Sequence, residues 1–187
     1  KLLCELVLRA GFDSRLVTLL AETNDAAREA IEAGPNKVLF TGSAATGEKI
    51  LTQLAPQLIP ATMELSGCDA VIIRADADLD LVTKALKFGL TFNAGATCLA
   101  PKRVFVARSI ATELEGRLAT AFAKIVHEQK LSEPIADRLQ SLVEDALSHG
   151  AHFVAGEMEG KRNPRMPIVL GGVSAQAQLL RDDIFLP

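Results

Sequence analysis

Apolar residues along the chain alternate between helical spacing over long stretches and short continuous runs, which predicts helices interleaved with buried strands. Residues 1–10 carry apolar side chains at helical spacing as far as Gly11, and residues 16–20 read as a short strand. Asn24 or Asp25 would cap the next helix, which runs to Ala33 and stops at Gly34-Pro35. Lys37 to Phe40 reads as a buried strand feeding the turn Thr41-Gly42-Ser43 and a helix over roughly 47–54, the rhythm of a βαβ unit. Strands at 62–65 and 70–73 are split by Ser66-Gly67, Asp76 to Asp80 opens an amphipathic helix through Leu90, and a strand follows at 103–107. A long helix over 110–129, another over 135–149, a strand at 152–154 and short apolar stretches at 168–170 and Ile184-Phe185 complete the order. The class these elements predict is α/β.

Composition narrows the partners. At 187 residues, 49% of them apolar, the chain can bury a sizeable core in one or two domains. A formal charge of −3 with acids and bases interspersed leaves neither a basic stripe for nucleic acid nor a polybasic membrane patch, so a small-molecule partner is expected. The longest apolar runs fall far short of a membrane span, and the N-terminal residues lack a signal-peptide pattern. Cys4, Cys68 and Cys98 show no Cys-x-x-Cys or Cys/His spacing, which argues against a disulfide framework or a metal site and fits a reducing, cytoplasmic compartment. The chain opens inside what reads as a helix, so it is expected to be a piece of something longer.

Candidate chemistry centres on Cys98, in Phe92-Asn93-Ala94-Gly95-Ala96-Thr97-Cys98, a glycine-broken stretch between two apolar segments. A thiol needs a base or a cationic neighbour to become the attacking thiolate, and Glu64, in Met63-Glu64-Leu65-Ser66-Gly67, is a carboxylate able to act as that base. Thr41-Gly42-Ser43 through Gly47 follows a strand and opens a helix, where backbone amides can receive a phosphate; an ordinary capped turn explains the same residues equally well. Other signals have plainer readings. Asp76, Asp78 and Asp80 alternate like a calcium loop, but Leu81 and Lys87 stand where that loop needs glycine and glutamate, so helix capping is preferred. His127, His149 and His152 share no face and read as surface residues, Cys4 as a small core residue and Cys68 as a packed cysteine at a strand start.

The order of these motifs is itself informative. Lys37-Val38-Leu39-Phe40-Thr41-Gly42-Ser43 with Gly47, then Glu64-Leu65-Ser66-Gly67, then Ala75-Asp76-Ala77-Asp78-Leu79-Asp80, then the Cys98 run and Lys102-Arg103-Val104-Phe105-Val106, resembles the aldehyde dehydrogenase superfamily. The spacing from Glu64 to Cys98 is the separation that family typically shows, and Arg181-Asp182-Asp183-Ile184-Phe185-Leu186-Pro187 is similar to its Glu-Glu-Ile-Phe-Gly-Pro. The resemblance implies an interior portion of such an enzyme. Residues 1–66 would be the C-terminal half of a Rossmann-like NAD(P)-binding domain, and 67–187 a parallel-sheet, three-layer α/β/α catalytic domain, incomplete at its C-terminus.

The resemblance also implies roles. Cys98 would attack an aldehyde to give a thiohemiacetal and then a thioester, with its own backbone N–H as one oxyanion donor, and Glu64, buried near apolar neighbours, would activate the hydrolytic water. For the cofactor, NAD or NADP, Gly42 and Ser43 would lie under the phosphates beside Gly47, the Leu65 carbonyl would meet the nicotinamide amide, and Asp183 with Phe185 would hold the nicotinamide ribose. The parent would be a homo-oligomer. Ser66, Cys68 and Ala96 depart from the family's usual residues, and Ala21-Glu22-Thr23-Asn24-Asp25 lacks its glycines, which suggests a divergent branch. Two other readings remain at this point: a CoA-acylating or acyl-phosphate-reducing relative, and a non-catalytic homologue used for assembly.

Overall fold

The structure, a computed structural model, describes residues 1–125, 127–158, 164–182 and 184–187. It divides into two compact units, Lys1–Leu65 and Ser66–Pro187. Among the described residues, no helix is long and apolar enough to cross a membrane.

The first unit opens with α1 (Leu2–Arg9), a 3-10 turn at Ser14–Leu16 and α2 (Asn24–Glu32). The strand expected at 16–20 does not form. Val17 is extended, yet among the described residues no strand pairs with residues 17–20, and a lone strand has nothing to satisfy its backbone. The cap of α2 is Thr23 rather than Asn24 or Asp25, because its side-chain oxygen is the one that accepts from the Ala26 N–H, at 3.2 Å. Gly34, at φ +74°, supplies the left-handed residue that ends the helix. Strand β1 (Val38–Gly42) then leads into α3 (Ala44–Leu54), which starts earlier than Gly47 because Ser43 caps it: its Oγ accepts from the Thr46 N–H at 3.3 Å. Strand β2 (Ala61–Leu65) returns parallel to β1, with Gly42 beside Leu65 and Thr41 beside Glu64.

In the second unit β3 (Asp69–Ile73) and β4 (Pro101–Val106) also run parallel, joined through α4 (Leu79–Thr91). Asp78 caps α4, accepting from the Asp80 and Leu81 N–H groups at 2.9 and 3.1 Å, as preferred for this run, while Asp76 pairs with Arg74 and Asp80 with Arg117. The remaining elements are α5 (Ala111–Phe122), β5 (His127–Glu128), α6 (Glu133–Ser148), β6 (His152–Glu157) and β7 (Arg165–Gly171). The helix expected over 110–129 is therefore cut short. His127 and Glu128 instead pair antiparallel with Met166 and Arg165, so tertiary pairing overrides the helical spacing. β7 lies between β5 and β6 in an antiparallel sheet.

The core explains the layers. Val169 of β7 packs against a cluster that Leu114, Leu118 and Phe122 of α5 form with Leu79 and Leu86 of α4. Its neighbours Ile168 and Leu170 pack instead with Leu139 and Val143 of α6. Alternate side chains of one strand thus serve helices on opposite faces, giving the helix, sheet, helix order expected of this part. Arg117 on α5 ties back to Asp80 at the start of α4 and to Glu113; Glu113 chiefly, then Asp80, holds the guanidinium in its charged form.

Candidate functional site

In the first unit the candidate cofactor residues converge at the carboxyl end of the parallel pair. Gly42 ends β1, Ser43 caps α3, and Glu64 and Leu65 end β2 alongside them. Ligands of open parallel sheets bind outside the carboxyl ends of strands, where a helix N-terminus also offers its free amides. Gly47 is buried in α3, and a Cβ built there would stand 2.9 Å from Leu65 Cδ2, so the missing side chain lets the helix sit close on β2. A Cβ on Gly42 would meet the Phe40 ring at 2.5 Å, so that space is already filled by aromatic packing. Glu64 is exposed, contrary to the burial expected of it, because its position on β2 points away from the face that carries Met63 and Leu65 against α3.

In the second unit Cys98 is exposed, at a turn following the 3-10 segment Phe92–Gly95. Three successive residues there are left-handed, Asn93 at φ 50°, Ala94 at φ 53° and Gly95 at φ 70°. Glycine adopts this conformation freely and asparagine tolerates it, whereas Ala94 is strained. The Asn93 side chain stabilises the turn by donating to the Ala96 carbonyl at 2.9 Å. A Cβ built on Gly89 of α4 would stand 2.7 Å from Pro101 Cδ at the start of β4, so the ends of the thiol loop are drawn together by a bare helix position. Phe88 and Phe92, both exposed, stack at 5.4 Å between ring centroids where the loop leaves α4.

Other expected residues fall as follows. Phe185 is exposed, while its neighbours Ile184 and Leu186 pack on α6 and β7, an alternation that turns the phenyl ring outward. Asp183 lies outside the described residues, as does the side chain of His127. His149 bonds the Asp145 carbonyl, and His152 lies 3.1 Å from Glu115, both on the surface. Among the described residues no group of His, Cys, Asp and Glu could hold a metal. Cys4 is not in a core, since α1 buries no residue. Cys68 is partly buried and lines an apolar cavity of about 310 Å³ inside the second unit, which Cys98 does not line. Sequence reasoning missed Arg103, whose Nε and Nη2 donate to the Cys68 carbonyl at 2.9 and 2.6 Å. A charged residue inside an apolar strand was the available signal.

Parallel βα pairing in both units, with an exposed thiol on a left-handed loop, defines an α/β protein carrying a candidate nucleophile. Comparison with known proteins makes this specific. The chain belongs to the aldehyde dehydrogenase family, whose model matches residues 1–187. It is 30% identical over 81% of its length to the chloroplastic betaine aldehyde dehydrogenase of Beta vulgaris, of which it covers 33%. It is similar to the succinic semialdehyde dehydrogenase of Streptococcus pyogenes solved with NADP+, at 29% identity and a TM-score of 0.85, covering 99% of this chain and 44% of that one. A salicylaldehyde dehydrogenase of Pseudomonas putida G7, solved with salicylaldehyde, gives 25% identity and a TM-score of 0.85, covering 95% of this chain and 40% of that one. The chain spans less than half the length of the curated relatives it matches, 32% of one and 43% of another.

Proposed function

We propose that the chain serves as the nucleophile-bearing portion of an NAD(P)-dependent aldehyde dehydrogenase that oxidises an aldehyde to a carboxylic acid. The observation that carries the reading is Cys98, an exposed thiol on a tightly determined loop in a chain of this family. The Cys98 thiolate attacks the aldehyde carbon, and the Cys98 backbone N–H donates to the oxygen as it becomes an alkoxide. Loss of hydride from that carbon leaves a thioester on Cys98. Glu64 takes the proton from the water that hydrolyses the thioester, freeing the acid and the thiol.

The residues present fit a dinucleotide. The α3 N-terminus, its Ser43 cap and the close approach at Gly47 make a βα mouth of the kind that receives phosphate. Gly42 and Ser43 would lie beneath the phosphates, the Leu65 carbonyl would accept from the carboxamide, and Asp183 and Phe185 would hold a ribose. When bound, NAD(P)+ supplies the hydride acceptor. Residues 1–66 would then be nucleotide-binding and 67–187 catalytic, within a homo-oligomeric cytoplasmic enzyme. The relative solved with NADP+ supports the cofactor class.

The test is a panel of aldehydes with NAD+ or NADP+ on the enzyme that includes this chain, comparing wild type with Cys98→Ala and Glu64→Gln. Abolished oxidation in the first and a stalled acyl-enzyme in the second are expected. Full turnover by Glu64→Gln when CoA or phosphate is added would instead favour transfer of the acyl group to another nucleophile. The chain of residues 1–187 by itself should show no dehydrogenase turnover, and NAD(P)H production by it would contradict that expectation.

A further inference from the structure

We propose that Arg103 and Lys102 are positioning residues for Cys98, acting through the two backbone supports on which its loop rests; the inference builds on Cys98 as the nucleophile. The first support is Gly67. A Cβ built there would stand 2.6 Å from the Cys98 carbonyl oxygen, so the backbone of the thiol residue itself lies against a bare Cα. The second support is Pro187, which occupies the space that a side chain on Gly95 would need. One support touches the loop at the backbone of its cysteine and the other at its left-handed turn.

Neither support belongs to a helix or a strand, and the Pro187 carbonyl has one main-chain tie, a long bond of 3.4 Å from the Ile168 N–H of β7. Two adjacent cations hold them. Arg103 donates twice to the carbonyl of Cys68, the residue next to Gly67. Lys102 Nζ donates to the carbonyls of Leu186 at 2.5 Å and Ile184 at 3.3 Å, just before Pro187. Register explains how neighbouring residues reach two separate segments: Asp69 pairs with Pro101 but Ala70 pairs with Arg103, so Lys102 is the extra residue of a bulge. A bulge re-aims side chains that a regular strand would fix. Bonds from charged donors are roughly twice as strong as neutral ones, so two cations on main-chain carbonyls are suited to fixing irregular backbone.

The consequence is chemical. A nucleophile and its oxyanion donor must be held to within about 0.5 Å of productive geometry, and here both belong to the same residue, Cys98. The support under its carbonyl restrains the backbone of Cys98, from which both the N–H and the thiol project.

The experiment uses this chain with Cys4→Ala and Cys68→Ala, so that Cys98 alone takes a trifluoromethyl label read by fluorine NMR, alongside amide exchange read by mass spectrometry. Arg103→Met should shift or broaden the fluorine signal and accelerate exchange over residues 92–100 by about tenfold, with β6 and β7 unchanged. Arg103→Lys should recover part of both effects, since one ammonium replaces one of the two bonds. Gly67→Ala should shift the same signal with Arg103 intact, and Lys102→Met should accelerate exchange around Gly95. An unchanged fluorine signal in Arg103→Met, or exchange that rises equally across the unit, would overturn the proposal. These readouts involve no turnover, so they are separate from the nucleophile reading, which fails only if aldehyde oxidation survives Cys98→Ala.

Discussion

Lys1–Leu65 and Ser66–Pro187 use the same βα grammar but are held together by different means. In the first unit the single buried large apolar side chain is Leu54, and α1 and α2 bury nothing, with Leu2 and Leu3 at 70% and 76% exposure. Among the described residues, the three apolar clusters lie in the second unit, built on α4, α5, α6 and β7. The candidate cofactor mouth is thus specified by local chemistry, a serine cap and a glycine contact, whereas the thiol loop is specified by supports remote in sequence. Small units bury a low fraction of their surface, so the first should open locally well before the second.

The largest effect that would break this contrast is in the core. Phe122→Ala, at a fully buried position, should cost about 3–5 kcal/mol in chemical denaturation. Leu39→Ala in β1, where the side chain is 70% exposed, should stay within about 0.5 kcal/mol. A Leu39→Ala cost as large as that of Phe122→Ala would mean that the first unit has a core of its own. Gly67→Ala comes next, at about 1–3 kcal/mol, because the new methyl group meets backbone rather than a movable side chain. Asp78→Ala should cost about 1 kcal/mol by leaving the Asp80 and Leu81 amides without their cap, measured by thermal melts. Gly47→Ala should be smallest. Its methyl meets the movable end of Leu65, and a helix-propensity gain of about 0.5–1 kcal/mol offsets the crowding, so near-neutral stability would sharpen the contrast with Gly67→Ala.

Much of this was legible in sequence wherever the cause is local. Periodicity located α1, α3, α4 and α6, and the strand at β1, because each carries its own apolar pattern and stop signals. Residues 127–128 and 17–20 misled for one reason: whether an extended segment becomes a strand depends on a partner, which β7 supplies to the former and nothing supplies to the latter. The candidate site divides in the same way. Gly42, Ser43, Glu64 and Leu65 meet because β1 and β2 are parallel neighbours, which the βαβ rhythm foretold. The exposure of Glu64 followed from strand alternation against α3 and was not anticipated. The roles of Gly67 and Arg103 come from contacts between distant segments, which neither composition nor spacing encodes.

The most direct measurement is NAD(P)H formation from an aldehyde by the enzyme that includes this chain, wild type against Cys98→Ala. The account predicts a fall of about a thousandfold or more, with the wild type giving a mass adduct on Cys98 during turnover. Oxidation at an undiminished rate in Cys98→Ala would contradict it.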